Sequence, residues 1–312
     1  MKIKLPMILC LAGLTACQPD TETSIQTAAP AQNPAAGDPD QVTEPMPEKR
    51  PHEMTIHGHT RVDEYFWLRD DSRSDPEVLA YLEEENAHFD RQMAHTADLQ
   101  ERLFDEMTGR LDPDDSSVPY EKNGYWYYSR YEAGKEYAIH ARRKGSMDAT
   151  EEVLVDGNQR AEGHDFYQLM GMAISDDHRY VAMAEDTVGR RINEIRVLDT
   201  QSGSLLSDTI GNASSSLAWS SDGKYLFYLD KHPETLLAYR VMRHELGTDP
   251  AEDVLVYEEQ DYRFYTGLWR SRSGDFIMLQ HMETDTTEVQ LLNAADPLGE
   301  FEPFLPRETG HE

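Results

Sequence analysis

Hydrophobic and polar positions follow two different periods along this chain, and the change falls near residue 116. Before it, two sets of apolar residues recur at the three- and four-residue spacing of a helix. They are Val78, Leu82, Phe89 and Met93, then Leu99, Leu103, Met107 and Leu111. Ser74-Asp75-Pro76-Glu77 precedes the first set with a cap residue and a proline, which is typical of a helix start. The pattern predicts two amphipathic helices, the second from Thr96 to the run Asp112-Pro113-Asp114-Asp115, within residues 48–115.

From Ser116 onward the period becomes two, and one unit repeats. Each unit has a tight turn followed by a strand that begins with an aromatic residue: Tyr125, Tyr180, Tyr225 and Phe276. Roughly a dozen residues later a second strand follows. Units of about 50 residues made of short strands and tight turns are typical of β-propeller blades. We therefore expect the four aromatic residues to be equivalent and largely buried between neighbouring sheets.

Residues 116–312 have room for about four such units. Blades of this length usually close into rings of six, seven or eight. The sequence thus predicts a mainly β fold, a truncated β-propeller of about four blades preceded by a helical segment. Such an incomplete ring leaves sheet faces and inner edges open.

The charge balance narrows the choice of partners. The chain has 59 acidic and 29 basic residues and a net charge of −30. Such a field opposes binding to nucleic acid, which requires a dominant basic surface. Basic ligands fit this charge, although charge alone favours a simply well-solvated acidic surface.

The first 17 residues have the pattern of a secretion signal. Lys2 and Lys4 precede an apolar run, and the segment Leu14-Thr15-Ala16-Cys17 is similar to a bacterial lipobox. The pattern predicts a signal peptide over 1–16 and a lipid on Cys17, with a plain signal or an uncleaved anchor as alternatives. Cys10, inside the apolar run, is interpreted as a small hydrophobic residue.

Residues 17–47 are rich in Ala, Pro, Thr, Gln and Asp. Such a composition does not bury enough apolar area to offset the entropy of ordering, so a disordered tether is predicted. A lipid followed by a tether indicates an envelope protein. Gln18, rather than an aspartate, follows the cysteine, which favours the periplasmic face of the outer membrane.

The sequence contains no complete active site. A G-x-S-x-G motif, which would lift a serine nucleophile above a sheet, is absent. The run His52-Glu53-Met54-Thr55-Ile56-His57 has one residue too many for a zinc H-E-x-x-H motif, so its histidines would not share a helical face. No phosphate loop or dinucleotide fingerprint is present. We therefore predict no catalytic residue, no metal ligand and no cofactor in this chain.

Several motifs together resemble the N-terminal part of the prolyl oligopeptidase family of serine peptidases, in its oligopeptidase B branch. They are HGHTRVD at 57–63, EYFWLRDD at 64–71, PEVLAYLEEEN at 76–86, MGMAIS at 170–175, AED at 184–186, KHPETLL at 231–237 and TEVQLL at 287–292. Arg69 favours the oligopeptidase B branch. The resemblance covers about residues 50–312.

The resemblance implies a seven-bladed propeller that caps an α/β-hydrolase domain carrying the Ser, Asp and His of the reaction. It also implies cleavage of short peptides after Arg or Lys, with the propeller restricting access. In the family the N-terminal segment packs on the hydrolase domain. Tyr65, Phe66, Trp67 and Leu68 are therefore expected to dock on a hydrolase domain, and the chain alone is expected to be inactive.

Two alternatives to a basic-specific peptidase part remain open at this point. One is a non-catalytic lipoprotein propeller that binds peptides or scaffolds partners. The other is a prolyl oligopeptidase specificity for proline. A hydrolase with a G-x-S-x-G motif continuing in frame would decide for an enzyme.

Overall fold

The computed structural model describes residues 44–311, and its contacts divide the chain into two compact units. The boundary falls after Asp105. The predicted signal peptide, Cys17 and the tether as far as residue 43 lie outside the described residues. Among the helices of residues 44–311, none is long and apolar enough to cross a membrane.

The first unit begins with a hairpin of two strands, β1 (His52–Ile56) and β2 (His59–Asp63). His57 and Gly58 form its turn with φ of 54° and 79°, a left-handed pair that suits a tight hairpin. A 3₁₀ turn at Phe66–Leu68 follows.

The first predicted helix is confirmed as α1 (Pro76–Met93). Asp75 caps it, because its carboxylate accepts the backbone N–H of Glu77 at 2.9 Å, and Pro76 takes the first helical position. Only Val78 of its apolar stripe is buried within the described part of the chain.

The second helix, α2 (Ala97–Thr108), follows a 3₁₀ turn at Ala94–Thr96. Its start agrees with the prediction, but its end does not, because the helix stops before Gly109 rather than at Asp112. Glycine loses more backbone entropy than other residues in a helix and commonly marks its end. Leu111, predicted to lie on the helical stripe, is therefore outside the helix and 70% exposed.

The second unit consists of four antiparallel blades of four strands each, which confirms the mainly β, partial propeller fold. Blade I contains β3 (Tyr120–Lys122), β4 (Tyr125–Arg130), β5 (Ile139–Lys144) and β6 (Glu151–Asp156). Blade II contains β7 (Gln168–Ile174), β8 (Tyr180–Asp186), β9 (Asn193–Asp199) and the first part of β10 (Ser204–Trp219). Blade III contains the rest of β10, β11 (Tyr225–Lys231), β12 (Ala238–Glu245) and β13 (Val254–Glu258). Blade IV contains β14 (Tyr265–Arg270), β15 (Phe276–Met282), β16 (Thr287–Asn293) and β17 (Glu302–Leu305).

Short elements connect the blades. A five-residue helix, α3 (Gly157–Ala161), links blade I to blade II, and a 3₁₀ turn at Pro250–Glu252 precedes β13. The 16-residue strand β10 is shared, since it pairs with β9 as far as Ala213 and with β11 from Ala213 onward. Blades II and III are thus joined in one hydrogen-bonded sheet of seven strands.

The aromatic repeat predicted the strands well and the burial of its aromatic residues only in part. Tyr125, Tyr180, Tyr225 and Phe276 each occupy the first position of the second strand in their blade, so their equivalence is confirmed. The expectation that they are largely buried holds only in part: Tyr125, Tyr180 and Tyr225 are partly buried and pack against core clusters, whereas Phe276 is 38% exposed. A residue next to a turn lies at the rim of the sheet, where neighbouring strands cover it less. The deep core lies one or two residues further along, at positions such as Leu226 and Phe227.

Candidate functional site

The aromatic segment that sequence analysis singled out is held by the residues just before it. The indole Nε1 of Trp67 donates to the carbonyl oxygen of Glu48 at 2.8 Å, and the guanidinium of Arg50 lies 4.3 Å from the Trp67 ring. The ring of His52 stacks on Phe66 with centroids 4.1 Å apart. Tyr65, Phe66, Trp67 and Leu68 nevertheless remain half-buried within the described structure. Docking on a hydrolase domain stays a prediction for these four residues.

The two helices of the first unit expose most of their apolar side chains. The exposed set is Leu79, Leu82, Phe89, Met93, Leu99, Leu103, Phe104 and Met107. Large exposed apolar surfaces of this kind mark interaction sites more often than chance. Apart from Leu111, the apolar stripes predicted from the sequence lie on α1 and α2, and within the described residues most of their side chains are exposed to solvent.

The turns between the first two strands of the blades line a common cavity in the second unit. Its volume is about 820 Å³, and all four blades contribute to its wall. Arg270 of blade IV links two other blades at the wall of this cavity. It donates to the carboxylate of Asp176 in blade II at 2.8 Å and to the Trp219 carbonyl oxygen in blade III. Three basic residues (Lys122, Arg270, Arg272) and three acidic ones (Glu121, Asp176, Asp275) line it. Unlike the whole chain, this cavity is balanced in charge.

A histidine joins blades I and II. The ring Nδ1 of His178 lies 2.6 Å from the hydroxyl of Tyr127, and Arg142 donates to the His178 carbonyl oxygen at 2.6 Å. His178 adopts φ of 62° at a turn position where blade III has Gly223. Burial, followed by the nearby charges of Arg142 and Lys122, lowers the pKa of His178, so the ring is neutral at pH 7.

The buried histidines of the blades do not form a catalytic triad. Nδ1 of His281 lies 3.2 Å from the Thr266 hydroxyl and 3.3 Å from the Glu259 carboxylate, so both partners face the same nitrogen. A triad instead needs the nucleophile on one ring nitrogen and the carboxylate on the other. His281 is also fully buried. His244 is flanked by the two carboxylates of Asp208 and Asp253, with no hydroxyl nucleophile.

The histidines near the N-terminal hairpin are spread over its two strands and turn. His52 opens β1, His57 is in the turn and His59 opens β2. Across residues 44–311, no group of three or more His, Cys, Asp or Glu side chains is arranged to hold a metal ion.

Sequence reasoning did not find the contacts of Arg270, His178 and His244. Each joins residues that are distant in the sequence, so no local motif indicates them. One signal was present for His244: it lies on the same face of β12 as Met242, two residues earlier, where the alternation of apolar residues would otherwise continue.

Comparison with known proteins assigns the chain to a family. Residues 44–312 match the family described as prolyl oligopeptidase, N-terminal beta-propeller domain. The chain is 45% identical over 282 residues to dipeptidyl aminopeptidase BI of Pseudoxanthomonas mexicana, covering 85% of this chain and 39% of that protein. It is 32% identical to protease 2 of Moraxella lacunata, with 85% of this chain and 39% of that protein covered.

The same relationship appears among solved structures. Oligopeptidase B from Leishmania major superposes with a TM-score of 0.79 at 30% identity, covering 86% of this chain and 40% of that structure. The chain therefore spans about two fifths of the length of these relatives. On these grounds the chain belongs to the prolyl oligopeptidase family of serine peptidases, and residues 44–312 correspond to the N-terminal propeller domain of that family.

Proposed function

We propose that this chain is the substrate-gating part of an oligopeptidase-B-like serine peptidase, which hydrolyses short peptides after Arg or Lys. The observation that carries the proposal is the match of the four blades and the N-terminal unit to oligopeptidase B at a TM-score of 0.79. The catalytic Ser, Asp and His would be supplied by an α/β-hydrolase domain. No cofactor is needed for this chemistry, because a serine, a histidine base and oxyanion donors are sufficient.

The geometry of the blades supports a gating role rather than a catalytic one. Within residues 44–311 the three fully or nearly buried histidines, His178, His244 and His281, face carboxylates, a tyrosine or a threonine, and none of their hydrogen bonds joins a serine hydroxyl. A cavity bounded by the turns of four blades can admit and orient an extended peptide. The hydroxyls of its lining serines, Ser221, Ser271 and Ser273, bond to Arg270, to each other and to the Phe276 N–H rather than to a histidine base.

Two substrate preferences are consistent with the relatives. One solved structure is oligopeptidase B from Trypanosoma brucei with covalently bound antipain, and the chain is 29% identical to it. The relative at 45% identity is instead named a dipeptidyl aminopeptidase. We favour cleavage after a basic residue because the chain carries a net charge of −30, which attracts cationic peptides. Removal of dipeptides from a free amino terminus is the second candidate.

A pair of substrates separates these candidates in the enzyme formed when this chain is joined to a hydrolase domain. An N-blocked Arg-Arg amide tests endopeptidase activity, and the same amide with a free amino terminus tests dipeptidyl aminopeptidase activity. We expect the blocked substrate to be cleaved, and an otherwise identical blocked Leu-Leu amide to be cleaved far more slowly. Cleavage of only the unblocked substrate would assign the dipeptidyl activity. No cleavage of either would favour a non-catalytic propeller that binds peptides.

We further propose that the exposed apolar surface of the first unit is where the hydrolase domain docks. The test replaces Trp67 and Leu82, and Leu298 of blade IV, an apolar residue that is 63% exposed, is the matched control. Trp67→Ala and Leu82→Ala should each weaken binding to a separately expressed hydrolase domain, measured by calorimetry, whereas Leu298→Ala should not. Equal binding by all three variants would place the docking surface elsewhere.

The proposed location is the cell envelope, through a lipid on Cys17 and a tether that reaches the folded part. It is supported by the sequence pattern at residues 1–17 alone. Cells grown with a labelled fatty acid should incorporate label into the protein, and Cys17→Ser should abolish incorporation while Cys10→Ser should not. Unchanged labelling of Cys17→Ser would refute lipidation at this residue.

A further inference from the structure

A small pocket lined by tyrosines, called the tyrosine pocket below, lies between blades I and II and shares no lining residue with the cavity formed by the blade turns. Its volume is about 310 Å³, at the lower end of ligand pockets, which are typically about 300–1,000 Å³. This size suits one extended side chain rather than a folded ligand. The residues that define its chemistry are Tyr131, Glu136, Tyr137, His140 and Tyr167.

The tyrosine walls of this tyrosine pocket are held in place. The rings of Tyr137 and Tyr167 meet edge to face with centroids 5.5 Å apart. The Tyr167 hydroxyl donates to Glu185 at 2.8 Å, and Glu185 is itself bonded by Arg160. The Tyr137 backbone is clamped by Asn158, which accepts its N–H and donates to its carbonyl oxygen, both at 2.9 Å.

A glycine permits this arrangement. A Cβ on Gly157 would lie 2.8 Å from the Cβ of Tyr137 and 2.9 Å from the Ala138 carbonyl oxygen. These distances are too short for real contacts, so any larger residue at 157 would displace Tyr137. The pocket therefore depends on a specific close approach of α3 to blade I.

The uncompensated charge at the pocket is negative. Glu136 is exposed, and its carboxylate takes part in none of the ion pairs of the described residues. Two neighbouring arginines are already paired, Arg130 with Glu132 and Glu151, and Arg160 with Glu185, and Lys135, which precedes Glu136, does not line the pocket. Burial lowers the pKa of His140, so its ring is neutral at pH 7 and adds no positive charge.

We propose that this pocket binds the guanidinium or ammonium group of a basic side chain on a peptide. Tyrosine faces attract a cation through their ring quadrupole, and a free carboxylate supplies the countercharge. The pocket reaches Gln168 and Leu169 of β7; among the described strands β7 pairs only with β8, so it offers an open strand edge to a peptide backbone. The identity of the ligand as a peptide rests on the proposed function, whereas the preference for a cation rests on the pocket itself.

The test uses the purified chain with two small probes, Nα-acetyl-arginine amide and its neutral isostere Nα-acetyl-citrulline amide. Calorimetry or NMR titration should show binding of the arginine probe and at least about 5-fold weaker binding of the citrulline probe. Glu136→Gln should raise the Kd of the arginine probe about 3- to 10-fold, and Tyr137→Leu about 2- to 5-fold. Glu245→Gln, which alters another exposed carboxylate, on blade III, is the control and should leave the Kd unchanged.

Three outcomes would overturn the proposal: no binding of the arginine probe, equal binding of both probes, or equal effects of Glu136→Gln and Glu245→Gln. These results are separable from failure of the proposed function. If the chain binds arginine at Glu136 but shows no peptidase activity with a hydrolase domain, the proposed cation site stands and the proposed function is refuted. If the enzyme is active but the chain does not bind arginine, the proposed function stands and the proposed cation site is refuted.

Discussion

Removal of the imidazole of His244 should destabilise the blades more than any exposed substitution. The ring is fully buried between two carboxylates that are each 1% exposed: Nε2 lies 2.9 Å from Asp208 and Nδ1 lies 2.6 Å from Asp253. Asp208 lies in the part of β10 that belongs to blade II, whereas His244 is in β12 and Asp253 directly precedes β13, so the cluster ties blade II to two segments of blade III. Breaking a buried charge pair by removing one partner costs about 3–5 kcal/mol, since the remaining charges stay desolvated. His244→Ala leaves two such carboxylates.

The protonation of His244 determines how the cost of this substitution changes with pH. Burial opposes the charged ring, but the hydrogen bonds with Asp253 and Asp208 outweigh it, and the pKa of His244 is raised above 6.5. Because the folded pKa lies above the unfolded one, the stabilisation is complete below about pH 6.5. It is then lost as the pH rises through the folded pKa. The difference in unfolding free energy between wild type and His244→Ala should therefore be largest at pH 6 and shrink toward pH 9.

Urea unfolding followed by tryptophan fluorescence at pH 6, 7.5 and 9 measures this difference. His164→Ala, at an exposed histidine in the connection from blade I to blade II, is the control and should change stability by less than about 0.5 kcal/mol. A His244→Ala cost under about 1 kcal/mol would show that the cluster does not hold a buried charge. A cost that grows with pH would show that the sign assigned to the His244 pKa is wrong.

Three further predictions concern the blades and use the same urea unfolding measurement. Phe227→Ala, at a fully buried position, should cost about 3–5 kcal/mol, and Phe276→Ala clearly less because this ring is 38% exposed; equal costs would contradict the assigned core. Gly171→Ala should destabilise the chain because its Cβ would lie 2.1 Å from the Ser215 carbonyl oxygen, whereas Gly211→Ala, with nothing within 4 Å, should not. Tyr127→Phe should cost about 1 kcal/mol through loss of the 2.6 Å contact with His178; no change would mean that this contact does not support the join of blades I and II.

Much of the fold followed from local pattern. The aromatic residue after each turn marked the start of a strand in all four blades, because turn chemistry and alternation act over a few residues. The cap at Asp75 located α1 to the residue for the same reason. In contrast, the end of α2 depends on whether the backbone around Gly109 forms helix or turn. The apolar spacing of Leu103, Met107 and Leu111 carries no information about that choice.

Features that depend on the packing of distant segments were not predictable. The continuous strand β10 serves two blades because its two halves pair with β9 and β11, and a repeat count alone suggests separate strands. The incomplete burial of Tyr180 arises from its place at the sheet rim rather than from its hydrophobicity. The His244 cluster and the tyrosine pocket each combine residues from several elements that no single motif links. Sequence analysis therefore found the family and the blades, while the candidate sites required the fold.

The most direct test of the central claim compares the chain alone with the chain supplied with an α/β-hydrolase domain of the family. Two signals are measured: labelling by a fluorophosphonate, which reacts with activated serines, and hydrolysis of a fluorogenic N-blocked Arg-Arg amide. We expect no labelling and no hydrolysis above buffer for the chain alone. With the hydrolase domain present we expect labelling of that domain only, together with turnover that requires both parts. Labelling of a serine within residues 44–312, or turnover by the chain alone, would contradict the claim that these residues gate substrates rather than cleave them.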